Sequence, residues 1–367
     1  MKTQKRLIIS GGGTAGHLYP GLVVSEKIKD KNPDIQITFV GGNRKLEKKI
    51  MDFHGVRFIP LKIEGLKGQG MKIFKSLFIL PFAFIKSFVL LIRIKPNLVI
   101  GLGGYSSGPI VLLASFMKIP TLVMEQNLFP GFTNRILIPR IQKAVVAFED
   151  SLPHFKGKGL FLGNPVRPEF YDLHPKKRNS KLSLLIFGGS QGSHFLNTNI
   201  TRSLFLLKDK KNDLNIFHQT GSNDFEWVQQ SYFKNGFHNA EVDSYFHDMP
   251  NYFQKSDLVI SRAGATTVAE LIASNKAALL IPFAKAADNH QVQNAEELKR
   301  IKGAEIILES EFSPEYFAQK IIDFLDNKDR IDRMETNLVS LKKENSAENI
   351  SKLCWDLMEN GHEEAYS

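Results

Sequence analysis

Two doubly wound α/β units, each built on a parallel sheet, are the fold class this sequence predicts. Three observations carry it. Short apolar runs of strand length alternate with helix-length segments along the chain, the pattern of βαβ units. A strand, a glycine-rich turn and a helix follow one another twice, in LIISGGGTAGH (7–17) and in LSLLIFGGSQGS (182–193). Between them, residues 163–168 (GNPVRP) and the polar run after them interrupt the pattern as a domain boundary does. The 367 residues suffice for two such domains, and a composition 43% hydrophobic and 23% charged is that of a folded globular chain. The expected divisions are 1–163, 164–340 and a terminal helix, 341–367, packing back towards the first domain. The two Rossmann-like domains are expected to face each other across a cleft, a favoured ligand site.

In the first half, residues 7–10 read as a buried strand and residues 20–29 as a helix, with Pro20 suited to its first turn. The turn between them satisfies GxGxxG in the right setting, so it either cradles a phosphate at a helix N-terminus or needs glycine for backbone reasons alone. A dinucleotide site also expects an acid at the end of the next strand. Here residues 35–40 end in Gly41-Gly42-Asn43, which counts against NAD. Residues 71–95, MKIFKSLFILPFAFIKSFVLLIRIK, are apolar enough to suggest a membrane span, but Lys75, Lys86, Arg93 and Pro81 interrupt them. They read as one or two amphipathic helices, either buried in the core or lying on an anionic bilayer surface. Residues 98–101 lead into GLGGYSSGP, and residues 121–124 deliver Glu125-Gln126-Asn127, followed by Thr133-Asn134-Arg135. Three strand ends thus carry polar groups: His17, Tyr105 to Ser107, and Glu125 to Asn127. That points to a working crevice at the carboxyl edge of a sheet.

The second half restarts with a strand at 182–187, a glycine turn at 188–193 and a helix at 197–207. A strand at 214–218 ends in Gln219-Thr220-Gly221, again without a ribose-binding acid. Residues 241–245 form a third strand, followed by Phe246-His247-Asp248. An apolar run at 258–260 then meets the small-residue turn SRAGATT (261–267) and a helix carrying Glu270. A second run, 277–281, stops at Pro282 before the polar loop Asp288-Asn289-His290-Gln291 opens another helix; residues 314–361 read as helical. Two successive strand-to-helix turns bring hydroxyls, backbone N–H groups and a carboxylate to one sheet edge, where a nucleotide would fit.

Net charge is +10 with a pI near 9.4, which favours an anionic partner. The basic residues are spread widely and form no nucleic-acid module, so the membrane reading is preferred over nucleic acid. The single cysteine, Cys354, excludes an intramolecular disulfide and fits a reducing compartment. The N-terminal apolar core, residues 7–9, is too short for a signal peptide, and a cytoplasmic location is expected. No DxD-like acidic pair stands in a glycine-flanked loop, so neither an obligatory metal nor a cofactor is expected. His17 is the leading candidate base, since histidine titrates near neutrality, and Glu125 the alternative; each can equally be a residue that only positions its surroundings. The other nine histidines read as mostly surface residues.

Taken in order, GGGTAGHLYPGL (11–22), GLGGYSSGP (101–109), EQN (125–127), TNR (133–135), GNPVR (163–167), GGSQGS (188–193), HQTG (218–221), SRAGATTVAEL (261–271) and DNHQVQNA (288–295) resemble the MurG family of peptidoglycan glycosyltransferases, family 28 of the GT-B fold. The family usually has glycine where Ala15 stands, histidine where Met124 stands and alanine where Ser193 stands. The resemblance implies inverting transfer of N-acetylglucosamine from UDP-GlcNAc to lipid I, giving lipid II, at the cytoplasmic face of the inner membrane. It implies that Glu270 accepts hydrogen bonds from the ribose and that Ala265, Thr266, Thr267, Val268 and Ala269 offer helix-start N–H groups to the diphosphate. Ser190 would add a phosphate contact, Phe246 would border the uracil, Gln291 would bind the sugar and Arg167 would offset nucleotide charge. Thr14, Ala15, Gly16 and Asn127 would approach donor sugar and diphosphate from the first domain. Other cell-wall synthesis proteins are left open as partners. Two alternatives stay open at this level: a lipid glycosyltransferase using another UDP-sugar with a diacylglycerol acceptor, and a non-catalytic nucleotide-sugar sensor.

Overall fold

The computed structural model describes residues 4–12, 15–61, 71–174, 180–286 and 289–360, with backbone alone described at 15–17, 45–46 and 71–79. The chain forms two compact units, Met1–Val166 with Asn345–Ser367, and Arg167–Glu344. Composition placed the divisions at 163/164 and 340/341. The two units divide three and four residues later, after Val166 and after Glu344, and the Tyr171 hydroxyl bonded to the Lys343 carbonyl at 3.2 Å ties both ends of the second unit.

The first unit alternates β1 (Arg6–Ser10), α1 (Ala15–Lys31), β2 (Gln36–Gly41), α2 (Lys45–Phe53), β3 (Arg57–Pro60), α3 (Met71–Ile94), β4 (Leu98–Gly101), α4 (Ser107–Phe116), β5 (Thr121–Glu125), α5 (Phe132–Leu137), β6 (Lys143–Val146) and β7 (Gly159–Phe161). The strands pair in parallel in the order β3-β2-β1-β4-β5-β6-β7, so the sheet is doubly wound outward from β1 and β4. Both faces of β1 are apolar, as a strand covered on two sides requires. Leu7 and Ile9 share a core with Leu18 and Leu22 of α1, whereas Ile8 belongs to the core that holds Ala83 and Leu91 of α3 and Ile110 of α4.

The second unit contains β8 (Leu182–Phe187), α6 (His194–Ser203), β9 (Leu214–Gln219), α7 (Phe225–Lys234), β10 (Glu241–Asp243), α8 (Met249–Lys255), β11 (Leu258–Ser261), α9 (Ala265–Ala273), β12 (Ala278–Leu280), α10 (His290–Arg300), β13 (Ala304–Ile306), α11 (Pro314–Asp326) and α12 (Asp329–Leu338). Its strands pair in parallel in the order β10-β9-β8-β11-β12-β13. The last helix, α13 (Ser346–Asn360), returns to the first unit, where Ile350, Cys354 and Leu357 share a core with Leu18 and Leu22 of α1. A 2.7 Å ion pair between Lys31 and Glu348 borders that contact.

Several local expectations change. The first helix begins at Ala15, straight after the glycine turn, so Pro20 lies in its interior rather than its first turn. A proline there removes one helical hydrogen bond, a loss the burial of Leu18, Leu22, Val23 and Val24 offsets. The helix expected at 197–207 instead starts at His194, because the Ser193 hydroxyl accepts the Leu196 N–H and caps it; after Ser203 it tightens into 3₁₀ turns. Strands β3 and β13 escape sequence reading because RFIP and AEI are too short and mixed to look apolar; both are edge strands.

Candidate active site

At the carboxyl edge of the first sheet, the loops after β1 and β4 lie backbone against backbone. A Cβ on Gly104, at φ +75, would stand 2.3 Å from the Gly12 carbonyl oxygen, so only glycine allows this approach. The Ser10 hydroxyl donates to the Ser106 carbonyl at 3.2 Å and ties the same two loops. Thr14 lies outside the described residues. Ala15, Gly16 and His17 form the start of α1, with their side chains outside the description.

Glu125 ends β5 and is 3% exposed. One carboxylate oxygen accepts the backbone N–H (3.0 Å) and side-chain amide (3.1 Å) of Asn127; the other accepts the Gly131 N–H (2.9 Å) and the Asn134 amide (2.7 Å). Burial pushes its pKa above the ordinary carboxylate value, while the four donors favour the ionised form. With every neighbour donating, this carboxylate holds Asn127 and the turn into α5 in place. Asn134, which sequence reading left without a role, is one of the four.

In the second unit the turn after β8 rests on the segment after β9. A Cβ on Gly192 (φ +74) would stand 1.8 Å from the Thr220 carbonyl oxygen, so glycine is obligatory where these two backbones touch. The Asn197 amide donates to the same carbonyl at 2.8 Å, and its oxygen meets His218 Nε2 at 3.1 Å. His218 is therefore no surface residue. It is fully buried beside the Tyr232 hydroxyl, and burial pushes its pKa down to about 3. Ser190 is exposed at the tip of the turn.

Helix α9 starts after Gly264, which has no side chain to cap it. A helix leaves the N–H groups of its first turn without intrahelical acceptors, and these with the helix dipole attract anions. Val268 already donates to the Gly264 carbonyl at 2.9 Å, and the helical position of Ala269 commits its N–H to Ala265. Both side chains are buried, and their N–H groups are spent within the helix. One turn on, the half-buried Glu270 carboxyl is pushed up to about 7 by desolvation, with the charge of Arg167 acting in the opposite sense. Arg167 also lies over the Phe170 ring at 5.2 Å.

Phe246 is buried, its ring stacked on Tyr252 at 3.8 Å and its N–H donated to the Gln219 side chain at 2.8 Å. Gln291, on the first turn of α10, accepts the Phe283 N–H at 3.0 Å. Arg262 was missed by sequence reading. It is 7% exposed and donates to the Ser193 hydroxyl (3.0 and 3.2 Å), to the Ile281 and Pro282 carbonyls (2.9 and 3.3 Å) and to Glu309. It thereby joins the turn after β8, the start of α9 and the loop after β12. The signal available was a lone arginine between a buried strand and a small-residue turn.

The chain is similar to known proteins over nearly its whole length. Residues 7–146 match the glycosyltransferase family 28 N-terminal domain, and residues 183–353 match the family 28 C-terminal domain. A Myxococcus xanthus protein named UDP-N-acetylglucosamine–N-acetylmuramyl-(pentapeptide) pyrophosphoryl-undecaprenol N-acetylglucosamine transferase is 40% identical over 357 residues, covering 96% of this chain and 93% of that protein. A Desulfotalea psychrophila protein of the same name is 36% identical over 360 residues, covering 97% of each chain. The crystal structure of Acinetobacter baumannii MurG superposes with a TM-score of 0.78 at 26% identity, covering 96% of this chain and 99% of that one.

Proposed function

The chain belongs to glycosyltransferase family 28, and from that premise we propose that it transfers N-acetylglucosamine from UDP-GlcNAc to N-acetylmuramyl-(pentapeptide) pyrophosphoryl-undecaprenol (lipid I), giving lipid II for peptidoglycan. The observation that carries this reading is that relatives matched almost end to end bear this transfer as their name. Purified protein supplied with radiolabelled UDP-GlcNAc is expected to label lipid I and leave diacylglycerol unlabelled. Preferential labelling of diacylglycerol would overturn the reading.

In the reaction, the acceptor C4 hydroxyl attacks donor C1, the bond from C1 to the β-phosphate oxygen breaks, and its electron pair leaves with UDP. Attack opposite the leaving group inverts the anomeric centre, giving a β-1,4 linkage. The hydroxyl proton passes to His17. Charge growing on the diphosphate is met by the first turn of α9, by Ser190 and by Arg167, groups suited to anion stabilisation. Glu270 accepts the ribose hydroxyls, main-chain groups of Phe246 border the uracil, and Gln291 binds the sugar. Thr14, Ala15, Gly16 and Asn127 contact donor sugar and diphosphate. Glu125, its oxygens occupied by four donors, keeps Asn127 in register rather than taking the proton.

The enzyme works at the cytoplasmic face of the inner membrane as a peripheral protein. Among the described residues no helix is long and apolar enough to cross a membrane. Support for surface attachment comes from α3, a single helix whose two faces differ. Ala83, Ser87 and Leu91 are buried, whereas Phe82 (72% exposed), Ile85 (61%), Val89 and Ile92 line the opposite side with Lys86 and Arg93 along its border. Apolar side chains beside cations suit the interface of an anionic bilayer. Phe74 and Phe78, on the first turns of the same helix, have side chains outside the description. Burying such a side chain contributes about 1.5–3 kcal/mol. Replacing Phe82 and Ile85 together by serine should therefore lower sedimentation with anionic liposomes at least roughly tenfold while the melting temperature holds. Unchanged sedimentation of the folded variant would overturn the membrane-surface reading.

A further inference from the structure

We infer that Gln219 is a positioning residue that couples uracil recognition to diphosphate binding, through one buried amide that bonds the loops serving each. The inference rests on the donor-site reading above. Gln219 ends β9 and is 1% exposed. Its Oε1 accepts the Phe246 N–H at 2.8 Å, and its Nε2 donates to the Gly189 carbonyl at 3.0 Å. Phe246 stands in the loop after β10, and Gly189, at φ +96, directly precedes Ser190. The two loops leave the carboxyl ends of β10 and β8, which flank β9 in the sheet. A side chain rising from the strand between them, with one donor and one acceptor on a planar group, can bridge both.

The chemistry is specific to an amide. Glutamine presents its donor towards a carbonyl and its acceptor towards an N–H, and a buried polar pair of this kind is costly to leave half made. The bond also commits the Phe246 N–H, so the Phe246 carbonyl is the main-chain group it leaves to read a base edge. His218 and the Thr220 carbonyl, on either side, hold Asn197 of α6, and Gly192 of the same turn packs against that carbonyl. The HQTG segment is thus the seat on which the diphosphate turn rests, and the Gln219 side chain reaches Phe246 of the base loop as well.

Gln219→Glu tests this because a carboxylate keeps the acceptor for Phe246 and sets an oxygen against the Gly189 carbonyl. Titration calorimetry with UDP and with uridine is expected to show UDP binding weakened about tenfold and uridine binding changed less than about twofold, with KM for UDP-GlcNAc raised and kcat nearly kept. Gln219→Met, neutral and of similar length, loses both bonds; it should weaken uridine too and still lower the ratio of UDP to uridine affinity. Melting curves identify any variant that does not fold, and either variant alone can decide. An unchanged ratio of UDP to uridine affinity in the folded variants would overturn the inference. Glu270→Ala in the same titrations separates the levels. If it weakens UDP binding while the Gln219 variants do not alter the ratio, this inference alone fails; if it leaves UDP binding intact, the donor-site reading fails and takes the inference with it.

Discussion

Glu270→Ala is expected to weaken UDP binding by at least about a hundredfold. Hydrogen bonds to a charged acceptor contribute about 1.5–3 kcal/mol each, and a ribose can donate two. The pH dependence follows from the carboxyl being raised to about 7 by desolvation. Below pH 7 it is mostly protonated and a poorer acceptor, so UDP affinity should fall as pH drops through 7 and level off above it. Removing the opposing charge with Arg167→Ala should move that midpoint upward. The effect on stability has the other sign. Because the folded pKa lies above the ordinary 4.5, the folded protein holds the proton more tightly than the unfolded chain between those values. Stability is therefore lost as pH rises across that window. Glu270→Gln, uncharged at every pH, should melt about 2–4 °C above the wild type at pH 8 while binding UDP more weakly. Half-burial keeps that gain modest. UDP titrations and melting curves from pH 5 to 8.5 check both signs; a flat affinity profile would remove Glu270 from the ribose.

His17→Ala is expected to lower kcat by about 10²–10⁴ and to leave UDP affinity within about threefold. A positioned general base contributes a factor of that order, and UDP alone carries no proton for His17 to remove. A variant that binds UDP normally and turns over lipid I at the wild-type rate would exclude His17 as the base. Glu125→Gln separates the two candidates. Its amide keeps one acceptor oxygen for Asn127 or Asn134 but sets an N–H against the other donors, so the expected loss lies in binding and stability together rather than in kcat alone.

Much of the architecture was legible because its signals are local. The glycine turns after β1 and β8, the apolar strands and the proline-rich break at 163–168 each specify backbone geometry within a few residues. The small-residue turn between β11 and α9 was legible for the same reason. Residues that act across the sheet were not. Gln219 and His218 look alike in sequence, two polar residues at a strand end; one bridges two loops and the other is buried against Asn197 and Tyr232. Arg262 gives no local sign that its guanidinium gathers three loops. Glu125 reads as a free carboxylate until its four donors, two of them from residues six and nine positions on, are in view.

What the sequence determined by itself was the order of most strands and helices, the two glycine turns and the family, since each depends on residue type and spacing along the chain. What only the tertiary structure decided was which polar groups are spent holding loops and which remain to meet a ligand. Hydrogen-bond partners and burial arise between segments distant in sequence, and an amide or carboxylate has the same letters whether its bonds are made or open.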